Sequence, residues 1–147
     1  MQPDFHFARA PGHLIRRAHQ LSVATFTRAL ADWDVTPVQF AVLSALVESP
    51  GVDQITLAAR VAFDPATSGS VIARLEQRGL LHRESDPRDK RRKLLWATPS
   101  GAKLVRGTRE PVARVQDTIL EPLDPAERTQ LMALLDKLVS GLQAKGG

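Results

Sequence analysis

Apolar residues recur along this chain in blocks with helical spacing, and most blocks open on one device, a helix-capping side chain followed by proline. Thr36-Pro37-Val38-Gln39 reads as a capping box with proline at the first helical position, where its missing N–H removes no bond. Asp64-Pro65, Thr98-Pro99 and Asp124-Pro125 repeat the device, the last with Glu127 in the box position, and Asp53 is a fifth cap ahead of Ile55-Thr56-Leu57-Ala58. The spacing predicts helices over 11–33, from Pro37 to just before Pro50-Gly51, and over 54–61, 65–78, 99–120 and 125–143. Gly79 suits the left-handed exit of the fourth, and Pro111 predicts a kink or break in the fifth. Residues 80–84 and Lys93–Ala97 read as short strands flanking a turn at 85–92, and His6 and Phe7 as an extended arm before the first helix.

That order implies a mainly α fold with a small β-hairpin, a winged helix-turn-helix. The second helix is apolar over most of its surface (Phe40, Ala41, Leu43, Ala45, Leu46, Val47), which fits the buried centre of a domain spanning 35–98. The terminal segments, 1–34 and 99–147, exceed what such a domain needs. Leu131, Leu134, Leu135, Leu138, Val139 and Leu142 in the last helix require an apolar partner. A second copy of the chain, giving a homodimer, is the simplest one; folding back on its own domain is the alternative.

Composition narrows the function. With 147 residues, 43% hydrophobic and 24% charged, the chain has the make-up of one soluble globular domain. No apolar run is long enough for a membrane span, the N-terminus lacks signal-peptide features, and no cysteine is present, so a cytoplasmic protein is expected. His6, His13, His19 and His82 show no metal-ligand spacing, and GxSxG and glycine-rich phosphate loops are absent. Neither an enzyme nor a metal or cofactor site is expected.

The net charge of +4 is concentrated: residues 83–93 hold six basic and three acidic side chains. A basic hairpin tip points to a polyanion, unless it is a solvated loop. On the fourth helix, Ser68, Ile72 and Leu75 share an inward face, while Thr67, Ser70, Arg74 and Gln77 form a separate stripe. Small hydroxyls near a helix start, with an arginine one turn on, suit entry into a major groove; the alternative is a polar face turned to water. An adjacent basic hairpin favours DNA, because both elements can touch one duplex. A protein-interaction module or a nonspecific nucleoid-binding module is the competing class, separable by salt dependence and sequence selectivity.

Asp64-Pro65-Ala66-Thr67, Arg74-Leu75-Glu76-Gln77-Arg78-Gly79-Leu80, Asp86-Pro87-Arg88-Asp89-Lys90-Arg91 and Ala97-Thr98-Pro99-Ser100-Gly101 together resemble the multiple-antibiotic-resistance regulator (MarR) family. Its wing signature is Asp-x-Arg, five residues, then Leu-Thr; here Ala97 replaces the leucine. The resemblance implies a homodimer that reads a pseudo-palindromic double-stranded DNA operator, commonly as a repressor released by a small phenolic or aromatic acid. It implies Arg91 as the residue entering the minor groove, Asp89 orienting it, and Thr67, Ser70 and Arg74 on the major-groove helix. Arg88, Lys90 and Arg92 are added as phosphate contacts.

The first helix also concentrates groups that bind an anionic aromatic: His13, Arg16, Arg17 and His19 for its charge, with Phe40, Phe63 and Trp96 as ring walls. The run 11–20 is similar to regulators of aromatic-acid and nicotinate-type catabolism. The alternative assigns these side chains to dimer contacts and surface ion pairs.

Overall fold

The computed structural model describes residues 4–63 and 65–146. After a 3-10 turn at Phe7–Arg9 come α1 (Pro11–Ala29), a second 3-10 turn (Ala31–Trp33), α2 (Pro37–Glu48), β1 (Val52–Asp53), α3 (Gln54–Val61) and α4 (Pro65–Gln77). The hairpin β2 (Leu81–Ser85) and β3 (Lys93–Ala97) then leads into α5 (Pro99–Leu120) and α6 (Pro125–Gly146). The fold is thus a winged helix-turn-helix flanked by terminal helices.

The capping residues do what their chemistry requires. Gln39 N–H donates to Thr36 Oγ1 and Thr36 N–H to Gln39 Oε1, each at 3.1 Å, closing a full capping box on α2. Asp124 and Glu127 repeat this reciprocity at α6. Thr98 Oγ1 accepts from Gly101 N–H at α5, and Asp53 Oδ1 from Thr56 N–H at α3. The expected cap Asp64 lies outside the described residues.

Four features depart from the sequence pattern. First, α1 stops at Ala29, and the chain turns through the 3-10 segment to a left-handed Asp34. Leu30 and Val35 both enter a small core with Phe26 and Val115, and one continuous helix would set residues five apart on different faces. Second, of the kink or break expected at Pro111 the break does not occur, and α5 is one helix from Pro99 to Leu120. Val112 and Val115 pack on that same small core, and this burial outweighs the one hydrogen bond that proline removes. Third, the sheet has three strands in the order β1-β3-β2, all antiparallel, because the two-residue β1 pairs Val52 with Leu95 and Asp53 with Leu94. Last, the N-terminal arm is not fully extended: Phe7 starts a 3-10 turn and its ring lies 4.6 Å from that of His13.

The main core gathers Val42, Leu43 and Leu46 of α2, Leu57 of α3, Ile72 and Leu75 of α4, Leu81 and Leu95 of the sheet and Val105 of α5. It makes one body of the three helices and the hairpin. Its junction with α5 is tight. Thr98 N–H donates to Leu80 O at 3.1 Å and Thr98 Oγ1 donates to Gly79 O at 2.6 Å, tying the start of α5 to the exit from α4. Gly101, in the first turn of α5, lies so close to Leu80 that a β-carbon there would collide with the Leu80 carbonyl oxygen. In contrast, α6 has no buried residue.

Gly101→Ala is therefore expected to destabilise the fold by about 1–3 kcal/mol despite alanine's better helix propensity. Chemical denaturation of that variant beside Gly141→Ala, where the added carbon meets nothing within 4 Å, separates the collision from the propensity effect.

Candidate nucleic-acid interface

The fourth helix, α4, divides as its sequence predicts. Ser68, Ile72 and Leu75 are buried, while Thr67, Ser70, Arg74 and Gln77 are exposed. Ser70 Oγ donates back to Thr67 O at 3.0 Å, so this hydroxyl lies along the helix surface. Arg74 makes no ion pair among the described residues and its guanidinium reaches into solvent. The helix-turn-helix bend is made at Ala62, which adopts a left-handed φ of 59° at the end of α3.

The wing closes on its own backbone. Asp86 N–H donates to Arg92 O at 2.8 Å, Arg92 N–H to Asp89 O at 2.9 Å, and Asp89 N–H to Asp86 O at 3.2 Å. Asp86 is 8% exposed, and its Oδ1 accepts from Arg88 N–H at 2.9 Å. This compact loop carries Arg88 and Lys90 outward, neither in an ion pair among the described residues. Arg91 is held from its own side: Asp89 Oδ1 accepts from its N–H at 3.1 Å and from its Nε at 3.4 Å, leaving the side chain 93% exposed. Asp89 thus orients an arginine that is otherwise in water.

Arg92 behaves differently from its neighbours. Its Nη2 donates to Asp53 Oδ2 at 2.7 Å and its Nη1 to Asp86 Oδ2 at 3.5 Å. Hydrogen bonding by Arg92, followed by that from Thr56 N–H, lowers the Asp53 carboxyl from 3.8 to about 2. The Asp53 partner in turn raises the pKa of Arg92. Asp53 serves both as the cap of α3 and as an acceptor for the wing, and Asp86 braces the loop from below. The cap is legible in the sequence, but the pairing with the wing is not, because 39 residues separate Asp53 from Arg92.

The seven candidate ligand residues are not gathered into one cavity within a single chain. His13 Nδ1 and Arg16 Nη2 lie 3.3 Å apart, and Arg17 Nη1 donates to Gln20 Oε1 at 3.1 Å. His19 borders an open cleft with Gln20, Val23, Ala24, Thr27 and Arg28, which none of the other six enters. Phe40 packs on Phe26 with ring centroids 6.1 Å apart, Phe63 lies against the main core, and Trp96 covers Gly51 beside the His82 ring. Among the described residues no group of three or more histidine or acidic side chains is placed to hold a metal.

The sequence and the overall fold both match known proteins. The sequence pattern described as "MarR family" fits residues 33–92. Transcriptional regulator HosA of Escherichia coli O111:H- is 33% identical over 128 residues, covering 87% of this chain and 93% of that protein. The chain belongs to the MarR family. Another relative, the HTH-type transcriptional repressor NicR of Pseudomonas putida, is 30% identical over 92% of this chain and 85% of its own length. Among solved structures, Bordetella bronchiseptica BpsR, whose DNA binding is regulated by 6-hydroxynicotinic acid, superposes with a TM-score of 0.88. Its identity is 36%, over 93% of this chain and 98% of that one. The protein is accordingly a DNA-binding transcriptional regulator of the MarR family, not an enzyme, and no helix among its described residues is long and apolar enough to cross a membrane.

The lowered Asp53 pKa sets a pH window. A carboxyl with a folded-state value below its unfolded one contributes stability above the unfolded pKa and loses it as pH falls through the folded pKa. The Asp53 contribution is expected to be complete at neutral pH and to disappear between about pH 4 and pH 2. A carboxyl-detected NMR titration of Asp53 with a midpoint near 4 would show the ion pair absent in solution.

Proposed function

We propose that the protein is a homodimeric repressor, acting in the cytoplasm, that a small aromatic carboxylate or phenol releases from a pseudo-palindromic operator. The observation that carries this reading is the fit to BpsR along almost the whole of both chains, terminal helices included. Residues 35–98 form the DNA-reading unit, and 1–34 with 99–147 pair two copies. Exposed Leu134, Leu135, Leu138, Val139 and Leu142 on α6 support the pairing, because a lone soluble chain rarely leaves such a stripe in water.

Thr67, Ser70 and Arg74 meet bases or phosphates in the major groove, and Arg91, steadied by Asp89, enters the flanking minor groove. Arg88 and Lys90 contact phosphates from the wing tip. A minor-groove arginine reads groove width and potential, so this contact favours A·T-rich flanks. The effector's anion is met by His13, Arg16, Arg17 and His19 of α1, with Phe40, Phe63 and Trp96 as candidate walls. Dispersal of these groups within one chain is consistent with a pocket that the second copy completes. Release requires the ligand to favour a separation of the two reading helices other than the roughly 34–36 Å of one DNA turn. A ligand with equal affinity for both separations shifts nothing.

Arg91→Ala is expected to weaken operator binding by roughly 1–3 kcal/mol per wing while the dimer persists. Anisotropy titration on the DNA flanking the protein's own gene, alongside sedimentation, checks both parts, and unchanged affinity removes the wing assignment. In the same assay, one member of a panel of aromatic acids that includes 6-hydroxynicotinate is expected to release the DNA. Arg16→Ala and His19→Ala should blunt that release without altering binding of the unliganded protein. Binding indifferent to every compound eliminates the effector, and loss of the dimer in those variants makes the residues interface contacts instead.

A further inference from the structure

We infer that Arg92 is a positioning residue for DNA binding, a clamp that fixes the base of the wing to the start of α3, and not a phosphate contact. This rests on the wing touching DNA. Three observations carry it. Two carboxylates bracket the guanidinium, Asp53 at 2.7 Å and Asp86 at 3.5 Å, so the cluster carries one net negative charge and opposes an approaching phosphate. Neither carboxylate is free to swing away. Asp53 also accepts from Thr56 N–H and Thr56 Oγ1, each at 2.8 Å, and Asp86 from Arg88 N–H. Their side chains are 13% and 11% exposed, and the Arg92 side chain they hold is 53% exposed against 93% for Arg91, one residue away.

The clamp has a geometric purpose. Arg92 immediately precedes β3, and Asp53 pairs with Leu94, so the ion pair closes the corner where β1 passes into α3 and the wing leaves the sheet. The wing loop holds its own shape through the hydrogen bonds among Asp86, Asp89 and Arg92. Those bonds do not set the loop's angle to the helix-turn-helix. A planar fork gripping one carboxylate on each body does. The distance between Arg91 and α4 then comes preset, and DNA binding need not order it.

The test uses the full-length dimer and the duplex that the wild type selects from DNA flanking its own gene. Arg92→Gln and Asp53→Ser are compared, serine being chosen because it still caps α3 but is too short to reach Arg92. Each is expected to weaken binding roughly five- to tenfold, with the double variant no weaker than the worse single. The salt dependence of log Kd should match the wild type, and the Gly51 amide, bonded to Leu95 O across β1 and β3 beside the clamped corner, should exchange faster in the DNA-free protein. Arg92→Lys should not restore the affinity, since an ammonium cannot span both carboxylates. A phosphate contact gives the opposite pattern. Arg92→Gln would then lower the salt slope by about 0.9 for each phosphate no longer neutralised, Arg92→Lys would bind nearly as wild type, and Asp53→Ser, having shed a negative charge, would bind more tightly. Either that pattern or unchanged amide exchange in both variants overturns the clamp. Arg91→Ala binding like the wild type overturns the wing reading instead, with the exchange rates still deciding the clamp.

Discussion

Strand β3 is the constraint on which the rest of the DNA-reading unit depends. It is the central strand of a three-stranded sheet, and both of its edges are taken. On one side Leu95 pairs with Val52, and Gly51 N–H donates to its carbonyl; on the other it pairs with Arg83. Its side chain is fully buried in the main core. One five-residue strand therefore fixes the entry to α3, the twist of the wing and, through Thr98, the start of α5. Backbone hydrogen bonds supply the register and Leu95 supplies the face, since a slip by one residue would turn Leu95 out of the core and put Leu94 or the much larger Trp96 in its place.

On this frame the molecule separates two kinds of charge. Arginines that hold the structure sit beside carboxylates: Arg83 with Glu76, Arg78 near Asp34, Arg92 between Asp53 and Asp86. The outward-facing cations Arg88 and Lys90 at the wing tip and Arg74 on α4 have no such partner among the described residues, and Arg91, though beside Asp89, is still 93% exposed. Net charge over a segment does not distinguish the two kinds. The basic residues of 83–93 form one cluster in sequence, but in space they divide between scaffold and surface.

Much of this is legible in the sequence, for identifiable reasons. Capping side chains and helix-initial prolines act over three residues, so the starts of α2, α3, α5 and α6 can be read locally. The inward face of α4 follows from helical period alone. Local reading fails where distant contacts overrule local preference. A two-residue β1 is too short to leave any alternation, Pro111 is carried through by packing on α1, and the bend after Ala29 is set by two apolar side chains seeking one core. Residues grouped by chemical type, as for the aromatic ligand, carry no distance information, and the fold disperses Phe40, Phe63 and Trp96. The partner of Arg92 is invisible in the sequence for the same reason.

The junction at Gly101 has a mechanical meaning. A helix start with no side chain, seated on the Leu80 carbonyl and pinned by Thr98, has no soft layer in which to absorb motion. At 22 residues, α5 is a rod about 33 Å long. Swung about that seat by roughly 5°, its far end travels about 3 Å. Conversely, a displacement at the far end has this seat as its route to the exit of α4, which makes the junction of α5 with α4 the point where the two helices meet mechanically.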